Sequence, residues 1–438
     1  MRYIWRTAVV KIPGAALIGH PHFPEGIAML TETEKLNTLR TLGIELNRVN
    51  DLDILMERVL SEARRFVNAD AGSIYIRRGN QLNFTYTQND TLQRRLAPGE
   101  KLIYATFTIP IDEKSLAGYV ASTGRTLNLP DVYRIDPGLP FLFSKKFDEA
   151  SQYLTRSVLT LPLQATRGDI MGILQIINAQ DDTGRVIPFS EEDQKMMMHF
   201  ASIATVALER ARMTRAILLR MIQMAELRDP KETGAHVNRV AGYSVEIYEA
   251  WARRHGLSQA EIDQNRDSLR MAAMLHDVGK VAISDLILKK PGRFDHGEFE
   301  VMKQHTILGA RLFLNAQSEF DEAACQVAMN HHERWDGTGY LGHVDLASGE
   351  ALENCTHPDG RPRGKKGEEI PIYGRIVAIA DVYDALSSAR VYKEAWDESR
   401  VLEIIREGSG TQFDPELVDI FFSQLDIIKS IQERYAEE

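Results

Sequence analysis

The sequence predicts an α+β domain with an antiparallel sheet flanked by helices, joined by one long helix to an all-α domain. Three observations carry that expectation. Short β-rich runs sit in pairs: Ala71–Ile76 and Leu82–Thr87 flank Gly79-Asn80, and Ser157–Leu163 and Gly172–Asn178 flank a polar turn with Gly168. No Gly or Pro interrupts the stretch from Ser190 to about Leu227. From Asp229 the pattern is mostly helical to the end. A length of 438 residues fits two or three domains.

The elements follow in order. Residues 1–30 read as an undetermined leader, because Ala8–Gly19 is mixed and short and lacks a cleavage site. Over 31–67, Leu39, Leu42, Leu46, Leu52, Leu55 and Val59 recur at helical spacing, with a break near Asn50-Asp51. The stretch 88–156 is rich in Pro, Gly and Asp, with one short helix expected near Ser115–Ser122. At Ser190 a capping box closes on Asp193 and starts the long helix. Along it Val206, Met213, Ile217, Met221 and Met224 form one stripe, broken by Arg210. A helix of about 35 residues is longer than globular domains ordinarily hold. The stripe therefore reads as the seam of a parallel coiled coil between two protomers, with packing on the chain's own domains as the plainer alternative. The expected boundaries are 31–195 for the first domain, 196–228 for the connecting helix and 229–438 for the helical domain.

Composition narrows the function. A hydrophobic content of 44% is enough to bury a core in each domain. The net charge of −10 argues against a nucleic-acid polymer as partner. It leaves an anionic substrate open, because metal ions invert the local field. The two cysteines make no disulfide framework, which suggests a cytoplasmic protein. No apolar run approaches the roughly 20 residues that cross a bilayer.

Between Glu232 and Asp381 lies a dense series of metal-type ligands: Glu232, His236, His276-Asp277, His305, His331-His332 and Asp381. Five of the chain's 12 His fall within it, which is why it stands out. Glu232 and His236 are four apart, on one face of a helix. Such a pair is ordinarily a solvated face; within this series it reads as a metal pair. Asp277 and Asp381 each end an apolar run, where a carboxylate is costly unless paired or ligating. With two oxygens, Asp277 is the candidate bridge between two ions. Imidazole with carboxylate suits a transition metal such as iron, manganese or zinc, and iron or manganese is the expectation here. Eight ligands exceed what two six-coordinate ions need once a bridging hydroxide and substrate oxygens are counted, so of two or three divalent ions, three fit the count better. Metal pairs clamp the attacking and leaving oxygens of phosphoesters and lower the pKa of bound water towards about 7. Lys280, one helical turn past His276-Asp277, can reach a phosphate oxygen. Tyr340 would contact substrate beside the metals, and Glu333 and Asp336 would orient the histidines.

Residues 50–210 resemble a GAF domain. The resemblance rests on Ala69-Asp70-Ala71-Gly72-Ser73-Ile74-Tyr75, Ser115-Leu116-Ala117-Gly118-Tyr119-Val120, Thr155–Leu163, Met171–Asn178 and the Phe189-Ser190-Glu191-Glu192-Asp193 helix start. Residues 225–425 resemble the HD-GYP family of HD phosphohydrolases. That match rests on Arg228-Asp229-Pro230, Glu232-Thr233-Gly234-Ala235-His236, His276-Asp277-Val278-Gly279-Lys280 and His331-His332-Glu333-Arg334-Trp335-Asp336-Gly337-Thr338-Gly339-Tyr340. It continues through Ala380-Asp381-Val382-Tyr383-Asp384-Ala385 and Arg390-Val391-Tyr392-Lys393.

The resemblance implies a phosphodiesterase that hydrolyses cyclic di-GMP to pGpG or on to GMP. It implies that Glu232 goes with a third metal, and that Arg390 and Lys393 contact guanine or phosphate. The unbroken helix from Ser190 to about Leu227 and its stripe add the expectation of a regulatory first domain acting through a homodimer. That domain would hold a small ligand, since Phe147-Asp148-Glu149 resembles part of the motif of cyclic-nucleotide-binding members, or would only dimerise. The chain departs from the family at Gly339-Tyr340-Leu341, where the family has Gly-Tyr-Pro, and in an insertion, Gly342–Lys366. The insertion is expected to be a mobile lid whose Arg361, Arg363, Lys365 and Lys366 meet substrate phosphates. The departure keeps two alternatives open: a catalytically silent receptor, and a phosphodiesterase for another cyclic dinucleotide.

Overall fold

The computed structural model describes residues 32–96, 107–165, 167–226, 234–388 and 396–435. The leader expected at 1–30 lies outside them. The chain divides into two compact units at Arg215/Ala216.

The first unit opens with helices α1 (Glu32–Leu46) and α2 (Leu52–Phe66). They break at Asp51, whose carboxylate accepts from the N–H groups of Asp53 and Ile54 and so starts α2. Strands β1 (Ala69–Arg78) and β2 (Gln81–Asn89) form a hairpin across Gly79-Asn80, where Gly79 takes φ 60°. Then come α3 (Asp90–Gln93), β3 (Thr108–Pro110), and α4 (Leu116–Thr123) capped by Ser115. Strand β4 (Leu127–Leu129), helix α5 (Lys146–Ser151), and strands β5 (Val158–Gln164), β6 (Ile170–Gln180) and β7 (Val186–Ile187) complete it. The sheet runs β3-β2-β1-β6-β5-β4 with β7 on β6, all antiparallel.

Side chains alternate across a strand, so the sheet has two different faces. Ile74, Leu159, Leu161, Leu174 and Ile176 pack against the helices. Tyr75, Phe84 and Ile173 face the other way, against Ala117, Val120 and Ala121 of α4. The α+β expectation is met.

Helix α6 (Glu191–Glu226) begins as expected: the Asp193 N–H donates to Ser190 Oγ and the Ser190 N–H to Asp193 Oδ2. In the first unit it buries Met197, Phe200, Ala204, Ala207 and Ala211. The predicted stripe is its other face. Val206, Met213, Ile217, Met221 and Met224 are 44 to 67 % exposed, so they do not pack on the chain's own core.

The second unit is helical: α7 (Gly234–Arg254), α8 (Gln259–Met274), α9 (Asp285–Leu288), α10 (His296–Lys303), α11 (His305–Arg311) and α12 (Glu319–Asn330), then α13 (Ile372–Ser387), α14 (Glu398–Glu407), α15 (Pro415–Ser423) and α16 (Leu425–Arg434). Val240, Ala241, Leu269, Ala272, Val327, Ile376 and Ile379 join α7, α8, α12 and α13 in one core. Between α12 and α13 the insertion folds on itself through the bridges Val344–Ala351 and Thr356–Pro362. No helix among the described residues is long and apolar enough to cross a membrane.

Candidate metal centre

The ends of the core helices carry the ligand-type side chains. His236 lies in the first turns of α7. His276-Asp277 follow α8, and a 3₁₀ turn, Val278–Ala282, then presents Lys280. His305 opens α11, His331-His332 follow α12, and Asp381 lies within α13. His236, His276, Asp277, His305 and His331 are all buried. Apolar packing of four helices therefore drives these polar groups together, and that burial is affordable only because they meet one another. Gly279 permits the closest approach: a Cβ there would overlap the carbonyl oxygen of His305. Any larger residue would push α11, and His305 with it, away from Asp277.

Two groups of ligand atoms result. Asp277, His305, His331 and His332 converge within 4.8 Å of one another, and so do His236, His276 and Asp381. Asp277 stands between them. Its Oδ1 lies 3.1 Å from His305 Nε2 and 3.5 Å from His331 Nε2, while its Oδ2 lies 3.4 Å from His276 Nε2. Asp381 Oδ1 lies 3.7 Å from His236 Nε2 and 3.9 Å from His276 Nε2.

The far ring nitrogens set the tautomers. Nδ1 of His276 faces the Ala273 carbonyl at 2.8 Å, Nδ1 of His305 the Met302 carbonyl at 2.7 Å, and Nδ1 of His331 the Val327 carbonyl at 3.1 Å. Nδ1 of His236 faces Asp384 Oδ2 at 2.8 Å. A carbonyl can only accept, so Nδ1 carries the proton and Nε2 presents its lone pair to the cluster. This is the arrangement of metal-binding imidazoles. The donor set fits divalent transition ions.

Charge agrees with that fit. Burial opposes ionisation of Asp277, but the Lys280 ammonium outweighs it and holds the carboxyl well below the usual range. Burial lowers the pKa of His331, and burial with His331 and His305 lowers that of His332 further. Both imidazoles are thus kept neutral, the form that binds metal.

A cleft of about 300 Å³ opens over one side, lined by His331, His332, Tyr340, Phe299 and Lys303 among others. The Tyr340 ring lies over His332 at 4.9 Å and 34°, a tilted stack.

Residues 51–208 match the GAF domain family, and residues 233–386 match the HD domain family. The chain carries a GAF domain followed by an HD domain. Over 205 residues the chain is 41% identical to a cyclic di-GMP phosphodiesterase of Vibrio cholerae, covering 46% of this chain and 37% of that protein. A 3'3'-cGAMP-specific phosphodiesterase 2 of the same species is 38% identical over 45% of this chain and 32% of its own length. A cyclic di-GMP phosphodiesterase of Thermotoga maritima is 37% identical over 49% of this chain and 50% of its own length. The match thus spans half or less of each of these relatives.

Of the eight ligands read from the sequence, the HD domain brings seven together; Glu232 lies outside the described residues, as do Arg390 and Lys393. Two expectations are corrected. Glu333 and Asp336 do not touch the histidines. Glu333 accepts from the N–H groups of Gly342 (2.6 Å) and Lys365 (3.2 Å), tying together both ends of the insertion, and Asp336 caps its own turn through Thr338. The residue that orients a histidine is Asp384, three positions past Asp381 on α13 and held also by Arg239. Burial opposes its charge, and hydrogen bonds from His236 and Arg239 prevail and lower its pKa. Its signal was in the sequence: a second acidic residue one turn on, after an apolar run.

Three basic side chains of the insertion have partners within the chain. Arg361 pairs with Asp359, Arg363 with Glu369, and Lys365 Nζ donates to Asn330 Oδ1 at 2.6 Å. In the GAF domain, Asp148 is buried and accepts from Tyr133 Oη, Thr155 N and Thr155 Oγ1, each at 2.8 Å. Its carboxylate therefore braces a loop.

Proposed function

We propose that the HD domain is a metal-dependent phosphodiesterase that opens cyclic di-GMP to pGpG and carries it on to GMP. The observation that carries this reading is Asp277, whose two oxygens face two separate clusters of imidazoles beside an open cleft. Two ions, of iron or manganese, fit the seven ligands, and Glu232 would add a third. When bound, such ions supply Lewis acidity and a water acidified for attack on phosphorus.

The chain's own residues do the rest. The Nδ1 hydrogen bonds hold four imidazoles in the binding tautomer. Lys280 keeps a cation 2.6 Å from Asp277 Oδ2, at the edge of the cluster where it can stabilise charge developing on a phosphate oxygen. Tyr340 supplies an aromatic wall for a guanine, with Arg390 and Lys393 as further contacts. The intact ligand set disfavours the silent-receptor reading.

In this scheme 31–195 is the sensor, 196–228 the connector and 229–438 the catalytic part. The exposed stripe on α6 supports a homodimer in which the connector carries a signal from the GAF domain, with or without a small ligand there. The nucleotide substrate and two free cysteines suit a cytoplasmic setting.

One second reading has specific support, the mixed GMP-AMP ring, because a cGAMP-specific relative is 38% identical over 196 residues. The test is incubation of metal-loaded protein with cyclic di-GMP and 3'3'-cGAMP, followed by chromatography of products. Release of pGpG or GMP supports the proposal. Binding without turnover on either ring would establish the receptor instead.

A further inference from the structure

Lys303 lies outside every motif that pointed to the site. It ends α10, two residues before His305. Its ammonium stands 4.9 Å from the ring centre of Phe299 and 5.6 Å from that of Tyr340. It also lies 2.7 Å from Glu300 Oε1. A lysine in the last turn with a nearby glutamate is an ordinary helix ending. That account leaves out the two aromatic rings. They hold the cation on the wall of the cleft that His331 and His332 also line. The Glu300 side chain is 48% exposed, so its pair with Lys303 is screened and weak. The ammonium can exchange that carboxylate for another anion at small cost.

We propose that Lys303 binds the phosphodiester of a cyclic dinucleotide that is not being cleaved, an inference that rests on the dinucleotide reading above. Such a ring carries two phosphodiesters. With one at the metal ligands, the other needs a cation elsewhere along the cleft, and Lys303 provides one. A compact ammonium binds phosphate as a point charge and demands no fixed approach angle. Arg334 lines the cleft too, but its Nε donates to Thr338 Oγ1 at 2.9 Å and its guanidinium faces Asp336, which ties it to its own loop.

The test compares Lys303→Met, Lys303→Arg and the parent, all metal-loaded, on two substrates: cyclic di-GMP and bis(p-nitrophenyl) phosphate, which has a single phosphodiester. Lys303→Met should raise KM for cyclic di-GMP about ten- to a hundredfold, the value of one hydrogen bond to a charged group. Its kcat, its metal content and its kinetics on the small diester should match the parent, and Lys303→Arg should recover most of the KM. An unchanged KM for cyclic di-GMP in an active Lys303→Met protein overturns the inference alone. Equal losses on both substrates also overturn it, by making Lys303 a support of the metal site. A parent that cleaves the small diester but no cyclic dinucleotide sinks the dinucleotide reading, and this inference with it.

Discussion

Lys280 Nζ stands 2.6 Å from Asp277 Oδ2, while Asp277 Oδ1 faces His305 Nε2 at 3.1 Å on the other side. One carboxylate thus touches a cation and two ligand clusters. Replacing each partner separates holding metal from stabilising charge. Asp277→Ala should lose both bound metal and turnover. Lys280→Ala should keep its metal and lose turnover about 100- to 1000-fold, the scale of one preorganised charge at a reacting oxygen. Elemental analysis beside initial rates decides. A Lys280→Ala protein with a normal rate would falsify the charge-stabilising role.

Asp384 is expected to matter through His236. It holds Nδ1 at 2.8 Å and is itself clamped by Arg239. Asp384→Asn keeps the shape but weakens the pull on the imidazole proton. Metal affinity should fall about 10- to 100-fold. Competition against a chromogenic chelator measures it, and an affinity equal to the parent's removes Asp384 from the centre.

Glu232 is expected to add an ion to a set already sufficient for two. Glu232→Ala should bind roughly one ion fewer per protomer, with the two-ion chemistry otherwise available. The same metal count in both proteins would exclude Glu232 from the site.

Glu333→Ala strips the acceptor from two backbone N–H groups at the base of the insertion. Each orphaned donor costs about 1–3 kcal/mol if it stays buried. The protein should melt at lower temperature and be cut by protease within residues 342–366, with its metal content intact. Unaltered melting and cleavage would mean the insertion is held by other contacts.

The exposed face of α6 predicts self-association. Met213, Ile217 and Met224 are each at least 49% exposed on the protomer. Changing all three to Glu places like charges along the proposed seam and should split the dimer. Light scattering at micromolar concentration reads the outcome. If the parent is already a monomer, the seam and the regulatory scheme built on it are both wrong.

Much of the fold was legible because its signals are local. The Gly79-Asn80 turn, the Ser190–Asp193 box and the Asp51 cap each act within a few residues, so the sequence carries them whole. The ligand series was legible for a different reason. Asp277 and Asp381 end apolar runs, and a carboxylate survives there only with a partner. Seven ligand-type side chains were therefore readable as a group, without any knowledge of which atoms meet.

What the tertiary structure alone decided is which polar group meets which. Glu333 follows two histidines in sequence, yet its carboxylate turns to the insertion, because the chain returns there at Gly342 and Lys365. Asp384 and Asp381 look alike one turn apart on α13, yet the packing of α7 against α13 sends one to Nδ1 of His236 and the other towards Nε2. The four basic residues of the insertion read as phosphate binders, and in the fold Arg361, Arg363 and Lys365 meet partners of their own. Lys303 carried no sequence signal, since its rings come from α10 and from a loop beyond α12. Caps and turns are settled between near neighbours. The partner of a buried charge is chosen by helices brought together from distant parts of the chain, and that choice exists only once the core has packed.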